Sequence, residues 1–295
     1  IKKYFYKKKN KILVIEGASW SFFSYLVIKL AKYLIKDLKI IYHSHNVEYE
    51  VRKLKNSKII LFLTKIFERE ILKLSDYNTA VSQSDKKLFF DLYNIKTIIL
   101  KNGVDNIELK TNFTSKLKLP KKFIFFPGSY SYYPNKEAID EIVTYHMEKI
   151  LKKYKEFYFI FSGEGLPKDY LKYKKIKYYG ILTQKDYNYV LSKSSFIFLP
   201  LKKAPGTKLK TLQAIALNKI ILCTSHALKG IETSKLKNIF KYKNKKEVLK
   251  KITYIVENFK NVKIKQKDNK KYFKENLYFK NLLNEFAYKY LNDKN

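Results

Sequence analysis

Short runs of β-branched and aromatic residues alternate with longer helical patterns along nearly the whole chain. This alternation constrains the fold more than any other feature. Lys11–Ile15 reads as a strand, Ser21–Lys36 as a helix, Lys39–His43 as a strand, and Val47–Leu74 as a helix in two pieces broken near Asn56. Asn78–Val81 (strand), Gln83–Leu92 (helix) and Lys96–Leu100 (strand) continue the series. After a polar stretch, Asp105 to Lys118, a second series follows. Its strands are Phe123–Phe126, Phe157–Phe161, Lys175–Tyr179, Phe196–Leu199 and Ile220–Cys223; its helices are Asn135–Lys153, Gln184–Leu191, Thr207–Leu217, Lys245–Phe259 and Asn276–Leu291. Strands that alternate with helices imply parallel sheets with crossover connections. The expectation is an α/β chain of two domains, residues 1–110 and 111–275, with a last helix over 276–295. No repeat of fixed period interrupts that reading.

Composition removes other classes. With 26 Tyr and 21 Phe among 295 residues, the chain has too much to bury for a disordered tail. Eight Gly and six Pro rule out collagen-like and linker-like chains. One cysteine, Cys223, rules out a disulfide framework and a cysteine-rich zinc site, and fits a reducing cytoplasm. No apolar run reaches the ~18 residues of a membrane span; the most apolar, Trp20 to Leu30, is interrupted by Lys29. No apolar core followed by a small-residue cleavage site is seen.

The formal charge of +36 suggests polyanion binding. However, only Arg52 and Arg69 are arginine among 62 basic residues, so the bidentate fork typical of nucleic-acid recognition is nearly absent. Lys, Asn, Ile, Tyr and Phe are the residues of A/T-rich codons, and lysine spread over every exposed face accounts for the charge. No nucleic-acid partner is expected.

Five segments could carry chemistry. Ala204-Pro205-Gly206-Thr207-Lys208-Leu209-Lys210 follows a strand and opens a helix. A glycine there permits close backbone approach, and the free N–H groups of the helix start suit a diphosphate. An ordinary helix start on a lysine-rich surface would look the same. Tyr42-His43-Ser44-His45 holds two of the four histidines at a strand-to-helix junction. His43 and His45 are expected to point to opposite faces after the strand, and a metal pair would need a third ligand from elsewhere; a polar histidine acting on substrate is the favoured reading, beside a plain hydrogen-bonded loop histidine. Asn102-Gly103-Val104-Asp105 favours a tight turn with positive φ. Phe126-Pro127-Gly128-Ser129 and Gly163-Glu164-Gly165 are further strand-end glycines where backbone could meet an anion.

In this order the segments resemble the GT-B glycosyltransferases, in particular the family 4 (group 1) retaining enzymes. The matching pieces are Thr79-Ala80-Val81-Ser82 with Asp85, Asn102-Gly103-Val104-Asp105, Gly128-Ser129 with Tyr133-Pro134-Asn135, Gly206-Thr207-Lys208-Leu209-Lys210, Gly230-Ile231-Glu232 after Cys223-Thr224-Ser225, and the last helix from Phe279 to Tyr290. The resemblance implies two Rossmann-like domains facing a cleft, the first accepting the acceptor and the second the donor. It implies transfer of a sugar from a nucleotide-diphosphate donor to an acceptor hydroxyl with retention, and no metal. Lys208, Lys210 and the Gly206–Thr207 backbone would stabilise the departing diphosphate. His45 would act near the donor sugar and acceptor, Gly128 and Ser129 would meet the donor, and the base would rest against Ile181 and Leu182.

Two departures qualify this. The family's Glu-x7-Glu places its second carboxylate, the ribose ligand, at Gln213, and its first at Pro205. Glutamine lacks the charge-assisted strength of a carboxylate. The first domain also has fewer βα units than a full GT-B N-terminal domain, so it is expected to be incomplete. The expected role is synthesis of a cell-surface polysaccharide or lipid-linked glycan; the alternative is a degenerate or truncated homologue that binds or scaffolds. The basic aromatic segment Lys2 to Lys9 suggests contact with anionic lipid at the inner face of the cytoplasmic membrane.

Overall fold

The computed structural model describes residues 11–53, 57–105, 113–202, 208–234, 236–264 and 275–291. The chain divides into two compact units, one built on residues up to Asn102 together with the last helix from Phe286, the other on Gly103 to Glu285.

The first unit is a parallel four-stranded sheet in simple sequence order: β1 (Lys11–Glu16), β2 (Leu38–Ser44), β3 (Tyr77–Ala80) and β4 (Ile98–Ile99). Its connections are α1 (Ser21–Leu34), α2 (Glu48–Arg52), α3 (Lys58–Leu74) and α4 (Gln83–Tyr93). Ile28, Ala31, Ile40, Tyr42, Ile71 and Phe89 form its core. Ser82 caps α4 by accepting from the Asp85 N–H and donates to the Asp85 carboxylate. This capping contributes about 1 kcal/mol and explains why serine and aspartate sit at that spacing. The break expected in Val47–Leu74 is real, since α2 ends at Arg52 and α3 starts at Lys58.

The second unit is a parallel six-stranded sheet. Its strands are β5 (Phe123–Pro127), β6 (Tyr158–Ser162), β7 (Ile176–Tyr178), β8 (Phe196–Leu199), β9 (Ile221–Cys223) and β10 (Ile239–Lys241), and their spatial order is β10-β9-β8-β5-β6-β7. β5 and β8 are buried along their whole length, which is why they read as unbroken apolar runs rather than alternating ones. The helix after β5 runs as α5 (Tyr133–Glu141), a π turn (Ile142–His146) and α6 (Met147–Lys153). The further helices are α7 (Lys168–Leu171), α8 (Gln184–Lys193), α9 (Leu209–Ala216), α10 (Glu247–Glu257), α11 (Phe259–Ile264) and α12 (Phe279–Tyr290). β10 and α7 have no counterpart in the sequence reading; three or four residues carry too little periodicity to register.

One expectation is corrected. Gly103 does not take a positive φ. Its glycine is required for close approach instead: a Cβ there would lie 2.6 Å from Phe279 Cα and 2.8 Å from the Leu277 carbonyl oxygen. The Val104 N–H donates to Leu277 O at 2.9 Å, and Phe279 N–H donates back to Val104 O. Asn-Gly-Val-Asp is a docking point for the segment entering α12.

Candidate functional site

In an open parallel sheet, ligands bind outside the carboxyl ends of the strands, where the strand order reverses. In the second unit the chain leaves β5 towards β6 and β7, then returns to β8, β9 and β10 on the other side. The reversal lies between β5 and β8. Gly128 directly follows β5, and β8 leads to Lys208 and α9, so these expected donor residues meet at the switch point.

Three strand ends carry glycines at positive φ: Gly128 (149°), Gly163 (120°) and Gly180 (59°). They are laced together. Gly128 N–H donates to Ser162 O at 2.7 Å, and Gly163 N–H to Gly180 O at 2.7 Å. The Tyr178 hydroxyl donates to Gly163 O at 2.6 Å, and Glu164 N–H to Ser129 Oγ at 3.1 Å. A Cβ on Gly163 would lie 2.4 Å from Ser129 N, so the two loops can touch only through glycine.

Gly128 serves a lysine. A Cβ there would stand 2.6 Å from Lys210 Nζ and 2.6 Å from Asn135 Nδ2. Lys210 Nζ donates to Asn135 Oδ1 at 2.8 Å, Asn135 Nδ2 donates to Ser129 O at 2.9 Å, and the ammonium lies 4.6 Å from the centroid of Phe126. Burial, with the charge of Lys208 beside it, brings the Lys210 pKa down to about 7. The start of α9 adds to the tension. It has no acidic residue in its first turn and no side-chain cap, while Lys208 is its N-cap residue. The positive end of a helix beside two lysines is a favourable place for an anion. A diphosphate would relieve the helix start, Lys208 and Lys210 together.

Gly206 and Thr207 lie outside the described residues. Gln213 sits one turn further along α9, half-buried. Ile181 is 79% exposed beyond Gly180, with Leu182 half-buried against the core, so a flat apolar base could cover Ile181. Asn135, buried at the start of α5, was not singled out in the sequence as a site residue. Its signal was its place one turn into the helix that follows the glycine turn.

In the first unit the expected His45 lies just beyond β2. The expectation that the two histidines point to opposite faces is corrected: residues two apart along a strand share a face, and the His43 and His45 ring centroids lie 5.0 Å apart just at the end of β2. His45 Nε2 lies 3.0 Å from a Glu16 carboxylate oxygen. Burial lowers the pKa of His43 more than the neighbouring Glu16 carboxylate restores it. Nearby, the buried Glu68 carboxylate accepts from the N–H groups of Glu48 and Tyr49 and from the Tyr93 hydroxyl at 2.6 Å. It thereby fixes the start of α2, close behind His45. Burial raises Glu68 to about 7.

No protein-family model and no curated protein sequence matches the chain. Solved structures do. Sucrose-phosphate synthase from Thermosynechococcus elongatus superposes with a TM-score of 0.71 at 11% identity, over 98% of this chain and 75% of that one. Anabaena HepE, in complex with UDP and glucose, gives 0.70 at 13% identity, over 95% and 77%. A glycosyltransferase from Rickettsia africae gives 0.66 at 17% identity, over 99% and 80%. Two parallel α/β sheets in this order, with these neighbours, show that the chain has the fold of the GT-B glycosyltransferases.

Proposed function

We propose that the protein transfers a sugar from a nucleotide-diphosphate donor to an acceptor hydroxyl. The observation that carries this is the lysine-flanked start of α9 at the switch point of the second sheet, with Lys210 held in the space that Gly128 leaves open. Catalysis would be chiefly electrostatic. As the bond to the sugar breaks, charge gathers on the leaving diphosphate, and Lys208, Lys210 and the positive end of the α9 dipole are already in place to receive it. Gln213 would hydrogen-bond the ribose, and Ile181 and Leu182 would support the base. His45 would supply the polar group on the acceptor-binding unit.

We assign a retaining, metal-independent hexosyl transfer of the family 4 type, working on a polysaccharide or lipid-linked acceptor in the cytoplasm. Support for this finer reading comes from the ordered motifs and from the neighbour crystallised with UDP and glucose. The test is calorimetry with UDP and GDP, followed by NMR of the anomeric proton in the product formed from the matching nucleotide sugar. Binding of one nucleotide and an unchanged anomeric configuration are expected. Failure to bind any nucleoside diphosphate would overturn the proposal.

A second reading, a degenerate binding homologue, is favoured by one observation: glutamine at 213 in place of the ribose-binding carboxylate. Turnover in neither the natural chain nor Gln213→Glu, with nucleotide binding retained, would select it.

Contact with an anionic membrane belongs to the same proposal. The Lys2–Lys9 segment lies outside the described residues, but α1 supports contact independently. Trp20 ahead of it is 80% exposed, and Phe22, Phe23, Leu30 and Tyr33 are exposed too. A helix as apolar outside as inside, with Lys29 and Lys32 beside it, suits a lipid interface. Among the described residues, no helix is long and apolar enough to cross a membrane.

A further inference from the structure

The first sheet brings together a set of side chains of which the proposed sugar transfer uses only His45. Glu16, His43 and Thr79 are register partners across β1, β2 and β3, so they form one row across three neighbouring strands. His45, two residues on from His43, lies on the same face as that row. One nitrogen of each histidine and one oxygen of Glu16 all lie within 4.8 Å of one another. Among the described residues this is the one group of three His, Cys, Asp or Glu side chains so placed.

We propose that Glu16, His43 and His45 form a site for a divalent transition-metal ion, with Zn2+ as its natural occupant. Two imidazoles and a carboxylate are a ligand set that zinc takes readily, and three protein ligands leave a fourth position open. Bonds of about 2.0–2.1 Å at tetrahedral angles require ligand atoms about 3.3 Å apart. The Glu16–His45 pair, at 3.0 Å, is already near that spacing. Closing the remainder takes about an ångström or more, and Glu16 and His45 are free to supply it, with side chains 58% and 47% exposed.

The buried member is pre-set. The Thr79 hydroxyl donates to Tyr42 O at 3.3 Å, so it accepts from His43 Nδ1–H at 2.7 Å. That leaves His43 Nε2 as a lone pair. A ligating histidine whose other nitrogen is held in this way is oriented and made more basic, an effect worth about 10–100-fold in metal affinity. The local charge agrees. In a chain with 62 basic residues, this site gathers Glu16 and, within electrostatic reach of His45, Glu48, which Arg52 and Ser19 partly hold. The ion would take the His45 imidazole, the group that His45 would offer to substrate. On the reading proposed above, the filled site therefore switches transfer off.

The experiment titrates the full chain, cleared of metal, with Zn2+ by calorimetry, and with Co2+ by visible absorption. One ion per chain and an intense four-coordinate Co2+ spectrum are expected. Glu16→Gln and His43→Asn should each weaken Zn2+ binding at least tenfold, and Thr79→Val by about 10–100-fold. Absence of stoichiometric binding, or a Co2+ spectrum like that of the aquo ion, would overturn the site. So would folded Glu16→Gln or His43→Asn protein that binds Zn2+ as tightly as the natural chain. Neither binding readout needs activity, so the site can stand or fall apart from the proposed function. Zn2+ that binds without slowing transfer would leave the site standing and overturn the switch.

Discussion

The two parallel sheets use their carboxyl edges in opposite ways. The second ends in glycines and lysines, with Gly128, Gly163 and Gly180 drawing the loops close to the backbone and Lys208 and Lys210 crowding a helix start. The first ends in Glu16, His43 and His45, with Glu48 nearby. The architecture is the same at both edges, but on the readings proposed above one edge would take a polyanion and the other a hydroxyl or a cation. The sheet explains why side chains converge there, and the residue types explain what they converge on. A chain with +36 net charge could have hidden this difference; it is visible because the few acidic groups near the first edge are concentrated beside its histidines.

The sharpest way to break the comparison is to remove the central group of each edge. Lys210→Ala should cost about 10–150-fold in affinity for a nucleoside diphosphate, the worth of about 1.5–3 kcal/mol for a charged hydrogen bond. His45→Ala should lower turnover and leave that affinity within about twofold. Calorimetry and initial rates on both variants decide it. Equal losses of nucleotide affinity would show that the edges are not specialised.

A smaller effect follows from the Lys210 pKa near 7. In the free protein its cation is present below that pH and lost above it, while the diphosphate stays anionic. Affinity should therefore be flat below about pH 7 and weaken above it by up to about tenfold per unit, with a proton taken up on binding at pH 8. Calorimetry in buffers of different ionisation enthalpy reads that proton, and its persistence in Lys210→Ala would assign it elsewhere. Stability has its own sign. The native lysine titrates below the unfolded one, so the unfolded chain binds more protons between about pH 7 and the ordinary lysine value. Lys210 should make the fold more stable as pH rises through that window. The smallest effect is expected of Gln213→Glu, a gain of about three- to tenfold in donor affinity from a charge-assisted bond to the ribose. No gain would place Gln213 away from the ribose.

Much of the fold was legible in the chain. The strands β1, β5, β6 and β8 and the helices α1 and α4 announce themselves by period and composition. The helix start at Lys208–Lys210 was visible as a helix start, because a helix opening beside glycine and lysine is a local pattern. Other features depended on distance in space. Gly103 looked like a turn residue, and only the backbone of Leu277–Phe279 beside it shows that it makes room. Gly128 looked like one more strand-end glycine, whereas its missing Cβ is where Lys210 and Asn135 meet, seven to eighty-two residues away along the chain.

The sequence alone determined the class of architecture, two parallel α/β sheets, because hydrophobic periodicity is a property of neighbouring residues. It also determined which helix start would gather positive charge. Tertiary structure decided how the strands were ordered and in what register, and with that which distant residues share a row. The reversal between β5 and β8 and the alignment of Glu16 with His43 and Thr79 arise from pairing between strands separated by tens of residues. A one-residue slip in that pairing would send each side chain to the opposite face, and a pattern read along one strand carries no record of its neighbour.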